Sequence, residues 1–162
     1  MLESYIWNVL ATVTGGAILT FIFFLLREKC FPIPNISGVW YVENTTESSA
    51  YNPYKGMTLD YIIMFWCEGC KVSGTAEKVH EDSVNINKDF IGKDRKRSNV
   101  NGYIQKNYFS KDKVTLHLVE DGFGRVSTYS YELIVTRKGM VGTFSSMVAD
   151  QKGKSTWTRK KN

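Results

Sequence analysis

From Tyr5 to Leu26 the chain carries no charged residue, and Ala17 to Leu26 is apolar at every position but Thr20. A helix over these 22 residues is about 33 Å long at roughly 1.5 Å per residue, enough to cross a hydrocarbon core of about 30 Å. Asn8, Thr12 and Thr14 are mild interruptions, and threonine hydroxyls in such a helix bond back to its own carbonyls. Pro32 and Pro34 then stop the helix and stiffen a short linker. Beyond them no stretch keeps a 3.6-residue period. Apolar and polar positions alternate instead, in runs broken by turn residues, which predicts strands at 38–44, 58–67, 70–79, 99–106, 113–120, 125–137, 140–150 and 154–160. Glu68-Gly69, Ser110 to Asp112, Asp121-Gly122, Lys138-Gly139 and Gln151 to Gly153 have turn chemistry. Eight strands joined by short connections, with no crossover helix, predict an antiparallel up-and-down β-barrel, because closure removes the exposed edges.

The parity of single strands sharpens this. Val114, Leu116 and Leu118 fall on one face of the fifth strand, with Thr115 and His117 on the other. Tyr129, Tyr131, Leu133 and Val135 oppose Thr128, Ser130 and Glu132 on the sixth. The second strand, Leu59 to Trp66, is apolar on both faces, so its outer face calls for a cover: the 45–57 loop, another subunit or a membrane. Two stretches break the pattern. Thr45 to Gly56, with Tyr51-Asn-Pro-Tyr54, reads as a lid or a short helix. His80 to Ser98 reads as a basic loop.

The chain therefore divides into an anchor at 1–30 and a β-domain at 31–162. A cleaved signal peptide would need a positive N-terminal region and a small-residue cleavage site; Met-Leu-Glu-Ser and Leu26-Arg-Glu-Lys-Cys30 supply neither. Arg27 and Lys29 follow the span, so the positive-inside bias places the β-domain in the cytoplasm of a single-pass membrane protein. Ala11 with Gly15, and Thr12 with Gly16, form a small-residue face suited to close helix approach. Cys30 just past the span is read as a bare thiol.

Composition narrows the chemistry. The chain of 162 residues carries a formal charge of +5, which favours an anionic partner. Three cysteines and two histidines leave little for disulfides, metal or acid–base work. Cys67-Glu-Gly-Cys70 is half of a zinc site without a second half, and is read as two cysteines flanking a hairpin turn. Asp60, Glu120, Asp121 and Glu132 show no catalytic spacing, and no nucleophile or phosphate-loop motif occurs. No catalytic residue, metal ligand or cofactor is expected, and the protein is not read as an enzyme. The Lys93 to Arg97 run is taken first as a solvated loop and second as a contact for anionic lipid head groups; DNA or RNA binding ranks last.

Gly38-Val-Trp40 at the first strand resembles the opening of the lipocalin and fatty-acid-binding barrels, where the Trp closes the barrel floor and an Arg from the last strand packs over it. Arg159, two residues after Trp157, is placed for that part. As a whole, the anchor, Ser37 to Val42, Gly142 to Ser145 and Ser155 to Arg159 resemble the minimal β-barrel membrane effectors of bacterial anti-phage cyclic-oligonucleotide signalling (CBASS), the CD-NTase-associated proteins. Members often have more than one span; one is read here. The resemblance implies a barrel that binds a cyclic dinucleotide made by a partner CD-NTase enzyme, forms a homo-oligomer and disrupts the inner membrane. Such a ligand needs aromatic platforms and cations, and Tyr103, Lys106, Arg125, Tyr129 and Tyr131 near strand ends supply both types. The rival readings are a membrane-tethered lipocalin-like carrier of an apolar ligand and a membrane scaffold protein.

Overall fold

The computed structural model describes residues 2–30, 32–122 and 125–160. The chain falls into two compact units, Met1–Ile33 and Pro34–Asn162. The first is helix α1 (Leu2–Leu25), which continues as a π-helical turn over Leu26–Cys30. Within it Glu3–Leu25 is long and apolar enough to cross a membrane, with a mean hydropathy of 1.9. Its threonines behave as hydroxyls in an apolar helix should: Thr12 Oγ1 donates to the Asn8 carbonyl at 2.9 Å, and Thr20 Oγ1 to that of Gly16 at 2.8 Å.

The second unit is a closed eight-stranded antiparallel barrel. Its staves are β1 (Gly38–Ser48), β2 (Thr58–Glu68), β3 (Lys71–Asp82), β5 (Arg97–Gln105), β6 (Lys113–Gly122), β7 (Arg125–Val135), β8 (Gly139–Ser146) and β9 (Gln151–Thr158). A short β4 (Asn87–Asp89) pairs only with the far end of β3, with His80 opposite Asp89. Every stave pairs with its neighbour in sequence, and β1 closes the ring on β9, Tyr41 opposite Thr158 and Thr46 opposite Gly153. No strand edge is left unpaired around the ring, which is the reason a meander of alternating strands closes.

Strand alternation decides what lies inside. Ile63 and Phe65 of β2, Val72 of β3, Leu116 of β6, Leu133 of β7, Met140 of β8 and Trp157 of β9 are all buried. The expected strands are found, with shifted ends. β1 runs on through Ser48, so 45–48 is strand and not loop. β8 stops at Ser146 and β9 begins at Gln151, because a 3₁₀ turn at Val148–Asp150, with Ala149 and Asp150 at positive φ, separates them. The basic stretch 80–98 is more ordered than a loop: β3 extends into it, β4 pairs back, and a 3₁₀ turn occupies Gly92–Asp94. On the outer face of β2, Met64 and Trp66 remain half-exposed, uncovered by the 49–57 connection.

Antiparallel alternation fixes two ends. The floor holds the start of β1, the β2–β3 turn, the 106–112 and 136–138 connections and the end of β9; the mouth holds the 49–57, 83–96 and 147–150 connections. Gly38, Trp40 and Arg159 lie together at the floor end. The Arg159 guanidinium carbon lies 3.9 Å from the centre of the Trp40 ring, and Trp40 Nε1 donates to the Ile36 carbonyl at 2.8 Å.

Candidate functional site

The interior grades from apolar at the floor to polar at the mouth. Phe65 stacks on Trp157 at 5.6 Å between ring centres, and Tyr131 meets Trp157 edge-on at 5.4 Å. Above them a chain of hydrogen bonds climbs the interior. Trp157 Nε1 donates to Ser155 Oγ (2.7 Å), which donates to Asn44 Oδ1 (2.6 Å), and Asn44 Nδ2 donates to the Tyr131 hydroxyl (3.0 Å). One layer higher, the Tyr61 hydroxyl donates to Glu120 Oε2 at 3.2 Å. The top layer is almost wholly polar, with Thr46, Lys78, Ser98, Glu120, Ser146 and Gln151 all buried. Burying so many polar groups costs stability unless each is partnered. In this layer three buried atoms have no partner among the described residues: Thr46 Oγ1, Ser98 Oγ and Gln151 Oε1.

A cavity of about 270 Å³ opens at this layer, walled by Lys78, Glu120, Tyr129 and Gln151, with Tyr54, Glu81 and Lys96 at its rim. Gln151, only 2% exposed, lines the cavity, and its Oε1 is buried without a partner among the described residues. Lys78 Nζ lies 3.2 Å from Glu81 Oε2 and 3.7 Å from Glu120 Oε1. Burial alone would pull the Lys78 ammonium below its ordinary pKa, but the nearby Glu120 and Glu81 carboxylates outweigh it and the net shift is upward. Burial, reinforced by neighbouring hydroxyls and Glu120, holds the Tyr61 phenol well above its usual range. Tyr129 is raised by burial, although Lys78 opposes it. Tyr54 meets Tyr51 edge-on at 5.0 Å on the 3₁₀ turn Asn52–Tyr54, giving the rim an aromatic ledge. Chemically the mouth combines the polar groups of Gln151, the Lys78 ammonium neutralised by Glu81 and Glu120, a further cation at Lys96, and the rings of Tyr54 and Tyr129.

Of the residues expected to bind ligand whose side chains are described, Tyr129 is the one at this cavity. Tyr131 is interior but deeper, fully buried and committed to Asn44. Tyr103 is 52% exposed on the outer face, because Gly102 and Ile104 take the inward positions of β5. Lys106 lies at the floor, 3.3 Å from Asp112 Oδ2. Arg125 opens β7 at the mouth, but its side chain lies outside the described residues. The Lys93–Arg97 run is at the mouth too, where Arg95 and Arg97 both reach Glu77, at 3.4 and 3.2 Å.

The residues missed have a legible signal in two cases. Lys78 follows Val72, Gly74 and Ala76 on the inward parity of β3, and Glu120 follows Val114, Leu116 and Leu118 on that of β6. Gln151 opens a Gln-Lys-Gly stretch with turn chemistry, so strand parity gives no signal for it. His117 faces out, with Nδ1 3.0 Å from Ser130 Oγ. Cys67 and Cys70 flank the β2–β3 turn, and among the described residues no group of three or more His, Cys, Asp or Glu is placed to hold a metal ion. No family model, no curated protein and no solved structure matches the chain.

Proposed function

We propose that the chain is a membrane-anchored receptor whose barrel mouth takes up a cyclic dinucleotide, and that occupancy drives self-association and disruption of the bacterial inner membrane as an anti-phage defence. It acts by binding and not by catalysis, with the barrel on the cytoplasmic side. The observation that carries the reading is the polar mouth: Gln151 Oε1, buried and unpartnered, beside Lys78, Glu120 and Tyr129 in a cavity of about 270 Å³. A buried acceptor without a donor is costly in the empty protein and is repaid by a ligand that brings an N–H, as a nucleobase edge does. The cavity is smaller than the ~300–1,000 Å³ typical of drug-sized ligands, so it suits one nucleoside half, with the phosphates meeting Lys96 and the second base at the Tyr54 rim. The packed lower interior, filled by Tyr131, Trp157 and Phe65, favours this polar ligand over the apolar cargo of a lipocalin-like carrier.

The test is a thermal-shift series on the full-length protein in detergent, run against a panel of cyclic dinucleotides and, separately, fatty acids. One cyclic dinucleotide raises Tm, by an amount equivalent to about 2.7 kcal/mol at a hundredfold excess over Kd. Gln151→Leu abolishes the shift. A shift with fatty acids alone, or none with any cyclic dinucleotide, would overturn the reading. The same ligand added to chain-bearing vesicles releases an entrapped dye; binding without release would refute the membrane step.

A further inference from the structure

The end of the barrel at which the chain enters is a basic, aromatic surface. Ile36 is buried and accepts the Trp40 indole N–H, which fixes the incoming segment to the floor. On the floor connections stand Lys106, Lys111 and Lys113 between β5 and β6, and Arg137 and Lys138 between β7 and β8. Lys71 opens β3, and Arg159 and Lys160 follow β9. Among the described residues the connections and strand ends of this end offer two carboxylates, Glu68 and Asp112, of which Asp112 already holds Lys106 at 3.3 Å; Glu132, further along β7, lines an outer hollow with Lys113 and Tyr103. Among the described residues, Lys71, Lys111, Lys113, Arg137 and Lys138 make no ion pair. Yet the whole chain has a formal charge of only +5, so the floor concentrates a positive excess that the rest of the molecule does not carry. The mouth differs: its cations are interleaved with Asp82, Asp89, Asp94 and Asp150, and Arg95 and Arg97 are taken up by Glu77.

Between those lysines, the tip of the 106–112 connection presents Phe109 fully exposed, with Tyr108 half-exposed beside it. Trp66, two positions from the floor end of β2, and Tyr103, opposite Lys71, are half-exposed as well. An exposed phenylalanine at a loop tip, followed in the chain by the exposed Lys111 and Lys113, is the composition of a surface that meets a lipid interface: the cations reach anionic head groups and the ring enters the acyl boundary. On the anchored reading the covalent tether keeps the barrel within reach of the bilayer. The seven residues 31–37 between Cys30 and Gly38 reach at most roughly 25 Å when fully extended.

We propose that the floor of the barrel docks on anionic lipid, with Phe109 inserted and Lys111, Lys113, Arg137 and Lys138 on the head groups, so that the mouth points away from the bilayer. This rests on the anchored reading given above. Docking is salt-sensitive, because the lysines and arginines act through charge. It also reassigns the lipid contact: the 93–97 run stands at the opposite end.

The full-length chain is reconstituted into nanodiscs of phosphatidylcholine alone and of phosphatidylcholine with phosphatidylglycerol in equal parts, and amide hydrogen exchange is followed by segment. In the anionic discs residues 106–113 and 136–139 exchange about tenfold more slowly than in the neutral ones. High salt removes the difference, and the mouth segment 83–96 does not respond. Phe109→Ser and the double variant Lys111→Glu/Lys138→Glu, all at exposed positions outside the core, each abolish the protection. Equal exchange of the floor segments in the two disc types would overturn the proposal. Free exchange of residues 5–26 in both would instead overturn the anchor, and the docking with it.

Discussion

Trp40 is held from two directions, and each can be removed separately. The Arg159 guanidinium covers its face, and the Ile36 carbonyl accepts its indole N–H. Gly38 makes room for that arrangement: it sits at φ +109°, and a Cβ there would stand 2.8 Å from an Arg159 guanidinium nitrogen. Arg159→Ala is expected to cost about 0.5–2 kcal/mol, the worth of a cation–π contact. Gly38→Ala costs more, roughly 1–3 kcal/mol, because it adds backbone strain to the displaced arginine. Chemical denaturation of the solubilised chain ranks the two; the opposite order would mean that Gly38 plays no part in seating Arg159. A second residue-scale prediction concerns the mouth. Glu120→Leu alone leaves Lys78 with Glu81 as its carboxylate partner at 3.2 Å and takes the acceptor from the buried Tyr61 hydroxyl, and is expected to cost about 1–3 kcal/mol. Lys78→Met/Glu120→Leu regains most of that loss while ligand binding is lost in both. A double variant that is stable and still binds would show that the polar layer serves the fold and not the ligand.

At the scale of the strand, the sequence was legible wherever alternation ran unbroken. β6 and β7 face as predicted, since Val114, Leu116 and Leu118, like Tyr129, Tyr131 and Leu133, permit one inward parity only. Site residues were harder because a ligand layer interrupts the apolar signal by design. Lys78, Glu120 and Gln151 are inward positions at which the apolar run stops, so they look like strand ends. Tyr103 misled for the complementary reason. Its inward neighbour Gly102 has no side chain to announce its face, and a large aromatic beside it seems the interior residue. These inward glycines are structural. A Cβ on Gly142 would overlap the Glu132 carbonyl oxygen of the paired strand β7, so the barrel wall can close there only over a hydrogen atom. Gly142→Ala is therefore expected to lower stability by several kcal/mol, beyond the ~1 kcal/mol average for point substitutions. A loss no greater than that average in a denaturant titration would show that the wall tolerates a wider separation.

Across the whole molecule, the polar column inside the barrel sets how stability responds to alkali. Tyr61, Tyr129 and Tyr131 are each held above the ordinary phenol range, burial being the first cause in every case, and Lys78 is raised by Glu120 and Glu81 against its own burial. All four shifts have one sign. A group whose native pKa exceeds its unfolded one keeps more protons in the folded state, so its contribution is complete below the unfolded value and declines as pH rises above it. The unfolded values are about 10 for tyrosine and 10.4 for lysine, so stability is expected to be flat with respect to these groups up to about pH 10 and to fall steeply beyond it. Each group whose native pKa lies a full unit higher withdraws about 1.4 kcal/mol over that interval. Ultraviolet absorbance of phenolate formation provides the check. Tyr61, Tyr129 and Tyr131, all buried, ionise only with loss of the fold, in one cooperative step. Tyr129→Phe keeps the ring that walls the cavity but deletes one of the shifted hydroxyls, so it moves the alkaline midpoint upward. An unmoved midpoint, or gradual ionisation of the buried phenols with the barrel intact, would mean that water reaches the column from the mouth and that the upper interior is not closed in the way the folded packing requires.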